Sequence, residues 1–281
     1  MACAEAAKTS AGARRASNET MTPTANAPGL ARSCVIPAAP YVSLEVLSNA
    51  RQARDDSEPI ASGRAAPAAE RLVRLGWLLP LHTRGAWEFA PATRAGRYRA
   101  GDPWIELRAL LAHDPDVPVA VAFESAIWEL GHSSHQPDRP VLAHRRGWRP
   151  PPSLGVRAVT FDWRVPTKTV RGLPVWTQAT ILVAAAERPA AQGNWGNADD
   201  WLPDTLRAAT AEDLLREAGE RRISTLARLG YIAEWAGRND IAEEIEALLP
   251  SRLPVTFLGP RDRRAQWNRR WHVYNSLLPR R

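Results

Sequence analysis

Residues 71–91 read RLVRLGWLLPLHTRGAWEFAP, a stretch in which a basic helical turn runs directly into two apolar segments separated by a short polar tip. Just before and within the first part, apolar or small residues recur at the spacing of one helix face: Ala69, Leu72, Val73 and Gly76. Pro67 suits the first turn of such a helix, and Gly76 suits its end because glycine accepts the left-handed conformation. The pattern predicts a helix over 66–75 whose arginines face away from the apolar stripe.

The two apolar segments, WLLPL and AWEFA, predict a β-hairpin over 77–90. Gly85 can take positive φ in the turn, and Pro80 needs an edge position because it has no backbone N–H to donate. Upstream, the spacing of apolar residues predicts another helix over 44–53, with Ser43 as its N-cap. Helix, turn, helix and hairpin in this order predict a winged helix-turn-helix domain over 41–101.

In a winged helix the second helix enters a major groove, while the hairpin tip reaches phosphates or the neighbouring minor groove. Arginine binds phosphate bidentately and reads guanine edges. The candidate DNA contacts are therefore the polar residues of this helix, its N-terminal flank and the hairpin tip: Arg64, Arg71, Arg74, His82, Thr83 and Arg84. The alternative is that these residues only solvate an ordinary α-β-β motif.

The formal charge of +7 over 281 residues is unevenly distributed. Residues 1–101 hold 13 Lys/Arg against 8 Asp/Glu, residues 102–260 hold 17 against 21, and residues 261–281 hold 7 against 1. Basic ends beside an acidic middle indicate a polyanionic partner, because phosphate neutralisation supplies most sequence-independent affinity for nucleic acid. An arginine-rich surface that follows from coding bias is the competing explanation.

The basic tail RDRRAQWNRRW interleaves arginines with tryptophans. Stacking aromatics among cations suit RNA or other single-stranded nucleic acid, so an RNA-facing surface is predicted for the tail arginines: Arg261, Arg263, Arg264, Arg269 and Arg270. In the alternative, Trp267, Trp271 and Tyr274 pack inward and the arginines pair with the acidic middle.

The rest of the chain bounds the architecture. Residues 1–40 are small, polar and punctuated by proline, so we expect a disordered arm there. From residue 102 helical and strand-like segments alternate. A helix is predicted over 121–131 and a strand over 157–165, and four residues are predicted as helix N-caps: Thr177, Thr210, Ser224 and Asn239. The pattern predicts an α+β protein overall: a winged helix followed by a helix-rich domain with a small sheet over 102–281. Cys3 and Cys34 cannot form a disulfide framework, and no apolar run is long enough for a membrane span, so a cytoplasmic location is expected.

Enzymatic sites are poorly supported. His132 and His135, with Asp138 nearby, fall short of the ligand set that zinc prefers, and neither a phosphate-binding glycine loop nor a nucleophile elbow is present. We therefore predict no enzyme activity, no cofactor and no metal. The alternative function is a winged-helix protein with a metal-dependent nuclease domain that uses Asp199, Asp200 or Glu212. A third is an interaction module whose basic ends bind an acidic protein.

Several segments together resemble one family. RLGWLLPLHTRGAWEFAP, DPWIELRALLA, ESAIWELG followed by QPD, RISTLARLGYIAEWAGRNDIAEEIEALLP and PVTFLGPRDRRAQWNRRWHVYNSLL resemble the AbiEi antitoxins of type IV toxin-antitoxin systems, especially their actinobacterial branch. The resemblance runs from about residue 41 to 281 and keeps the order of the elements. The family's first helix would fall upstream of Val42, where this chain has Pro37 and Pro40.

The resemblance implies a winged helix that binds inverted repeats in the promoter of its own operon, and a C-terminal antitoxin domain over 102–281. It also implies a nucleotidyltransferase-like toxin as functional partner, and it places the tail arginines in the antitoxin domain, where they would face the toxin or RNA. Carried onto this chain, the DNA-reading helix is 66–75 and the wing is 77–90. Inverted repeats need two copies, either a symmetric dimer or monomers that pair on the DNA.

Overall fold

The computed structural model describes residues 41–43, 65–90 and 102–280. The arm expected over 1–40, the helix expected over 44–53 and the candidate contact Arg64 lie outside these residues. The described parts form a mixed α+β structure with three small sheets and packed helices, as the sequence predicts.

The first helix, α1, spans Ala65–Arg74, one residue earlier at each end than expected. Gly76 has φ 75°, the Gly76 N–H donates to the Val73 carbonyl at 3.0 Å, and the Trp77 N–H donates to the Leu72 carbonyl at 2.9 Å. These two bonds form a Schellman motif, which satisfies carbonyls that the helix end would otherwise leave unpaired. The same glycine turns the chain into the hairpin.

The hairpin consists of β2 (Leu78–Pro80) and β3 (Ala86–Phe89), paired antiparallel, with Gly85 at φ 75° in the turn. A strand that the sequence did not predict, β1 (Tyr41–Ser43), pairs with the other side of β3 and gives the order β1-β3-β2. Ser43 is therefore the last residue of a strand. Pro80 lies on the outer strand β2, where its missing N–H removes no ladder bond.

Helix α2 (Ile105–His113) belongs to two cores at once. Its residues Ile105 and Ala109 pack with Leu81 and Ala86 of the hairpin. On its other side, Leu107 and the preceding Trp104 lie in the main core of the C-terminal part. A boundary at 101/102 thus separates the hairpin from a helix that covers it.

A buried carboxylate also fastens the hairpin to α2. Glu106 is 5% exposed and accepts hydrogen bonds from the His82 backbone N–H at 3.1 Å and from its Nδ1 at 2.8 Å. Since His82 stands at the polar tip of the hairpin, this contact fixes the tip relative to α2.

The largest sheet has five strands, which in chain order are β4 (Val119–Val121), β5 (Val141–His144), β6 (Arg157–Thr160), β7 (Lys168–Val170) and β8 (Leu173–Val175). Across the sheet their order is β6-β5-β4-β8-β7. β4 pairs antiparallel with β5 and parallel with β8, while β5 pairs parallel with β6. The segment at 121–131, read from the sequence as one helix, supplies the end of β4 before α3 (Phe123–Glu129) begins.

Helix α4 (Gln178–Glu187) lies at the centre of the helices that pack with this sheet, and its residues from Gln178 to Ala186 are all buried. It contacts α3 and three later helices: α5 Ala198–Ala208, α6 Ala211–Ala218 and α7 Ile223–Trp235. The predicted caps Thr177 and Thr210 are confirmed, because each side chain accepts from the backbone N–H three residues on. The other two predicted caps are wrong: Ser224 lies inside α7, and Asn239 is the first residue of α8 (Asn239–Glu246).

The strand predicted over 157–165 ends at Thr160. Beyond it, two backbone N–H groups donate to a buried side chain and not to a neighbouring strand. The backbone N–H groups of Arg164 and Val165 both donate to the fully buried carboxylate of Glu217, at 2.8 and 2.9 Å. Arg221 pairs with the same carboxylate at 2.7 Å, which offsets the cost of burying its charge.

The chain ends in a three-stranded sheet of β9 (Thr256–Leu258), β10 (Gln266–Asn268) and β11 (Val273–Asn275), in the order β10-β11-β9. Trp271, in the loop between β10 and β11, is fully buried against Gly230 of α7. A Cβ at Gly230 would lie 2.1 Å from the Trp271 ring. Only a glycine therefore lets the indole approach the helix so closely.

We expect Gly230→Ala to destabilise the protein by roughly 1–3 kcal/mol, because the added methyl overpacks a rigid indole. Urea unfolding followed by Trp fluorescence measures the difference. Gly196→Ala is the matched control, since a Cβ there meets nothing within 4 Å. Equal stability of the two variants would contradict the tight contact.

We expect Glu106→Ala to cost roughly 1–3 kcal/mol, because it leaves the His82 N–H without its buried acceptor. Hydrogen exchange at the His82 amide should accelerate along with the loss in thermal stability. Glu212→Ala removes only an exposed i,i+4 partner of Arg216 and serves as the control. Unaltered exchange at His82 would show that the carboxylate does not hold the tip.

Candidate nucleic-acid interface

Helix α1 is amphipathic in the predicted sense. Ala69 is fully buried against Leu78, and Leu72 and Val73 pack at the edge of this cluster. Arg71 and Arg74 are exposed in the last turn, where cations also suit the helix dipole. The helix therefore presents two arginines to solvent while its apolar stripe holds it against the sheet.

The hairpin tip presents a third cation. Arg84 is exposed beside Gly85, whereas the half-buried Thr83 uses its carbonyl to accept from the Ala86 N–H at 3.2 Å. His82 has an exposed side chain, but its Nδ1 is bonded to Glu106. Of the predicted tip residues, Arg84 is thus the one with an exposed guanidinium, and His82 has a structural partner as well.

A cleft of about 520 Å³ lies between α1 and the hairpin. It is lined by residues of both elements: Glu70, Val73, Arg74, Pro80 and Trp87. Helix and hairpin therefore share one concave surface, with the cation of Arg74 and the carboxylate of Glu70 at its wall.

The arginines of the tail divide into two groups. Arg270 pairs with Glu234 at 2.6 Å and with Glu246 at 2.5 Å. The hydrogen bond from Arg270 lowers the pKa of Glu246, and the same bond raises the pKa of Arg270. The other four predicted residues are exposed: Arg261, Arg263, Arg264 and Arg269.

The tryptophans of the tail divide likewise. Trp271 packs inward, as one reading of the sequence predicts, and donates its indole N–H to Glu234 at 3.1 Å. Trp267 is 43% exposed on the outside of the sheet. The tail thus combines the two sequence interpretations, since one tryptophan and one arginine are structural while the others face solvent.

The candidate metal and catalytic residues do not converge. His132 bonds to Gln178 at 3.0 Å, and burial lowers its pKa. Asp199 and Asp200 lie in the first turn of α5, and Glu212 pairs with Arg216 at 2.6 Å. Within residues 41–43, 65–90 and 102–280, no three His, Cys, Asp or Glu side chains are close enough to share a metal ion.

A polar cleft of about 280 Å³ was not predicted from the sequence. The Arg157 guanidinium donates to Glu124 at 2.7 Å and to the Ala191 carbonyl at 2.7 Å, beneath the loop that carries His135 and Asp138. Residues of the ESAIWELG and QPD motifs form part of its wall. The short spacing of these two motifs was the one feature of the sequence that could have indicated the cleft. Its remaining partners come from distant turns, which local patterns do not reveal.

Comparisons with known proteins agree with this architecture. The described residues contain no helix of the length and apolarity that a membrane crossing requires. The fold is similar to the crystal structure of the RV2827C protein from Mycobacterium tuberculosis, with a TM-score of 0.70 and 24% sequence identity over 89% of this chain and 90% of that one. No curated protein matches the sequence significantly.

The C-terminal part carries the family signature. Residues 119–235 match the model of the AbiEi antitoxin C-terminal domain. This range holds the five-stranded sheet and helices α3 to α7, and so includes both the buried α4 and the Glu217 network. The chain therefore contains an AbiEi antitoxin C-terminal domain over residues 119–235.

Proposed function

We propose that this antitoxin binds operator DNA through α1 and the hairpin, which act as a winged helix-turn-helix, and represses its own operon. The observation that carries the proposal is the direct connection of a helix with exposed Arg71 and Arg74 to a hairpin with exposed Arg84. Only residues 75–77 separate the two elements. Such a rigid pair can place one element in a groove and the other on the adjoining backbone.

The fixed tip supports this reading. The bond between His82 and Glu106 and the packing of Leu81 on α2 hold the hairpin in place before any ligand binds. A preorganised hairpin loses little conformational entropy on binding, which favours affinity. The inverted repeats of the operator would recruit two copies, either as a dimer or as monomers that pair on the DNA.

We further propose that the C-terminal domain counters a nucleotidyltransferase-like toxin in a type IV toxin-antitoxin system. An AbiEi antitoxin domain over residues 119–235 supports a toxin partner, and the resemblance of the sequence to AbiEi antitoxins suggests the toxin class. We assign the antitoxin role to the C-terminal domain over 102–281, of which residues 119–235 match the family model.

We expect the double variant Arg71→Ala, Arg74→Ala to bind the promoter of its own operon much more weakly. Each lost arginine contact should cost roughly 1–3 kcal/mol, and the slope of log affinity against log salt should fall by about 2. Fluorescence anisotropy with the labelled promoter duplex measures both quantities.

The control for this measurement is Arg207→Ala, Arg216→Ala. These arginines are also exposed on helices, where they pair with acidic residues of the same helix. The control should retain operator affinity. An unchanged affinity in the α1 variant, or an equal loss in the control, would remove the helix from the DNA interface.

Repression and neutralisation should separate genetically. With the antitoxin expressed from an unrelated promoter, we expect the Arg71→Ala, Arg74→Ala variant to protect cells from its proposed nucleotidyltransferase-like toxin, because the C-terminal domain is intact. The same variant should fail to repress a reporter placed behind the native promoter. Loss of protection at equal protein level would argue against this division of roles.

A further inference from the structure

The outer face of the C-terminal sheet carries a row of aromatic rings. Trp267 of β10 stands directly opposite Tyr274 of β11, and Tyr274 stands opposite Phe257 of β9. Directly paired residues share a face of a sheet. The ring centroids are 4.6 Å apart for Trp267 and Tyr274, and 5.3 Å apart for Tyr274 and Phe257.

This row lies at the surface. The neighbouring residues on the same strands point the other way and are buried: Thr256, Leu258, Val273 and Asn275. Trp267, at the edge strand, is the most open ring of the row, with 43% of its surface exposed. An indole placed in this way costs free energy in water unless a partner covers it.

One arginine contacts the row of rings, and three more are exposed close to Trp267 in the sequence. The Arg261 guanidinium lies 4.8 Å from the centroid of Phe257 and so covers the far end of the row. Arg263, Arg264 and Arg269 are exposed in the loop and strand ends next to Trp267. Asp262 is the acidic residue of this segment, and its carboxylate accepts from the Arg264 backbone N–H.

The sheet that carries the aromatic row is fixed by contacts of the loop between β10 and β11. The buried Trp271 anchors the β10–β11 connection to α7, and Arg270 clasps Glu234 and Glu246. The Nδ1 of His272 bonds to the Leu253 carbonyl at 3.0 Å. Rings that are fixed in advance can accept a flat partner without the entropic cost of ordering them.

We propose that this face binds single-stranded nucleic acid, with a base stacked on Trp267 and phosphates contacted by the exposed arginines. Every base has an aromatic face, and cations beside stacking rings are the chemistry that holds a flexible polyanion. An acidic protein would explain the arginines but not an ordered row of rings. The site is distinct from the duplex-binding surface proposed for α1 and the hairpin.

The test uses the full chain and labelled oligonucleotides of about 12 nucleotides, one RNA and one DNA of the same sequence, in fluorescence anisotropy. We expect Trp267→Ala to weaken binding by roughly 5-fold or more, from the loss of one stacked base. Trp267→Phe keeps a ring and should retain most of the affinity. Replacing Arg263 and Arg264 by Ala should lower the salt slope by about 1.4.

Two controls separate this proposal from the operator proposal. Trp128→Ala removes a half-buried tryptophan that also lies beside an arginine, Arg171 at 5.6 Å, and should leave binding unchanged. The Arg71→Ala, Arg74→Ala variant should likewise keep its affinity for single strands, whatever it does to duplex binding. Circular dichroism and thermal melting confirm that each variant folds.

Each other outcome overturns the proposal. These outcomes are no binding of either oligonucleotide at low salt, full affinity in a folded Trp267→Ala variant, and loss of binding only in the α1 variant. A difference between RNA and DNA identifies the natural strand, because only RNA offers the 2′-hydroxyl. If this face binds the toxin protein instead, neither oligonucleotide will bind at low salt.

Discussion

The close approach of four helices to α4 is the constraint on which the C-terminal part depends. The residues of α4 from Gln178 to Ala186 have almost no solvent exposure, and its run of alanines leaves room for neighbours at short distance. Helices that meet in this way are held by area removed from water, and not by charge. Hydrogen bonds to Glu217 then fix the orientation of these elements, since Thr180 of α4 and the backbone N–H groups at 164–165 all donate to its carboxylate. Sheet and helices are thereby tied to one buried element.

The two basic surfaces follow the same design. In each surface one fully buried residue holds the backbone in place: Ala69 in α1 and Trp271 in the tail. A buried or half-buried carboxylate then holds the polar side, Glu106 for the hairpin tip and Glu234 for the tail loop. The exposed arginines outside these anchors present their charge to solvent: Arg71, Arg74 and Arg84 in the first surface, and Arg263, Arg264 and Arg269 in the second. This separation of anchor and contact keeps the net positive charge at the two ends of the chain compatible with folding.

Local signals predicted much of the fold and less of the candidate sites. Helix α1, the hairpin, and the caps Thr177 and Thr210 were predictable because spacing, glycine and capping chemistry act within a few residues. Strand β1 was missed because its pairing with β3 depends on a distant contact. Ser224 and Asn239 are wrong as caps because the helices begin one residue earlier or on the residue itself. Trp267 and Trp271 look alike in sequence, but strand register places Trp267 on the outer face, and the contact with Gly230 buries Trp271.

Helix α2 has a consequence for how the protein is made. The hairpin cluster of Leu81 and Ala86 is completed by Ile105 and Ala109, which are translated later. During synthesis the hairpin therefore stays partly uncovered until residues up to His113 have left the ribosome. A recombinant fragment that stops at residue 101 would expose the same apolar side, and one that extends through α2 would cover that side but expose Leu107. The helix that follows the expected domain boundary at 101/102 thus packs against both the hairpin and the main core of the C-terminal part.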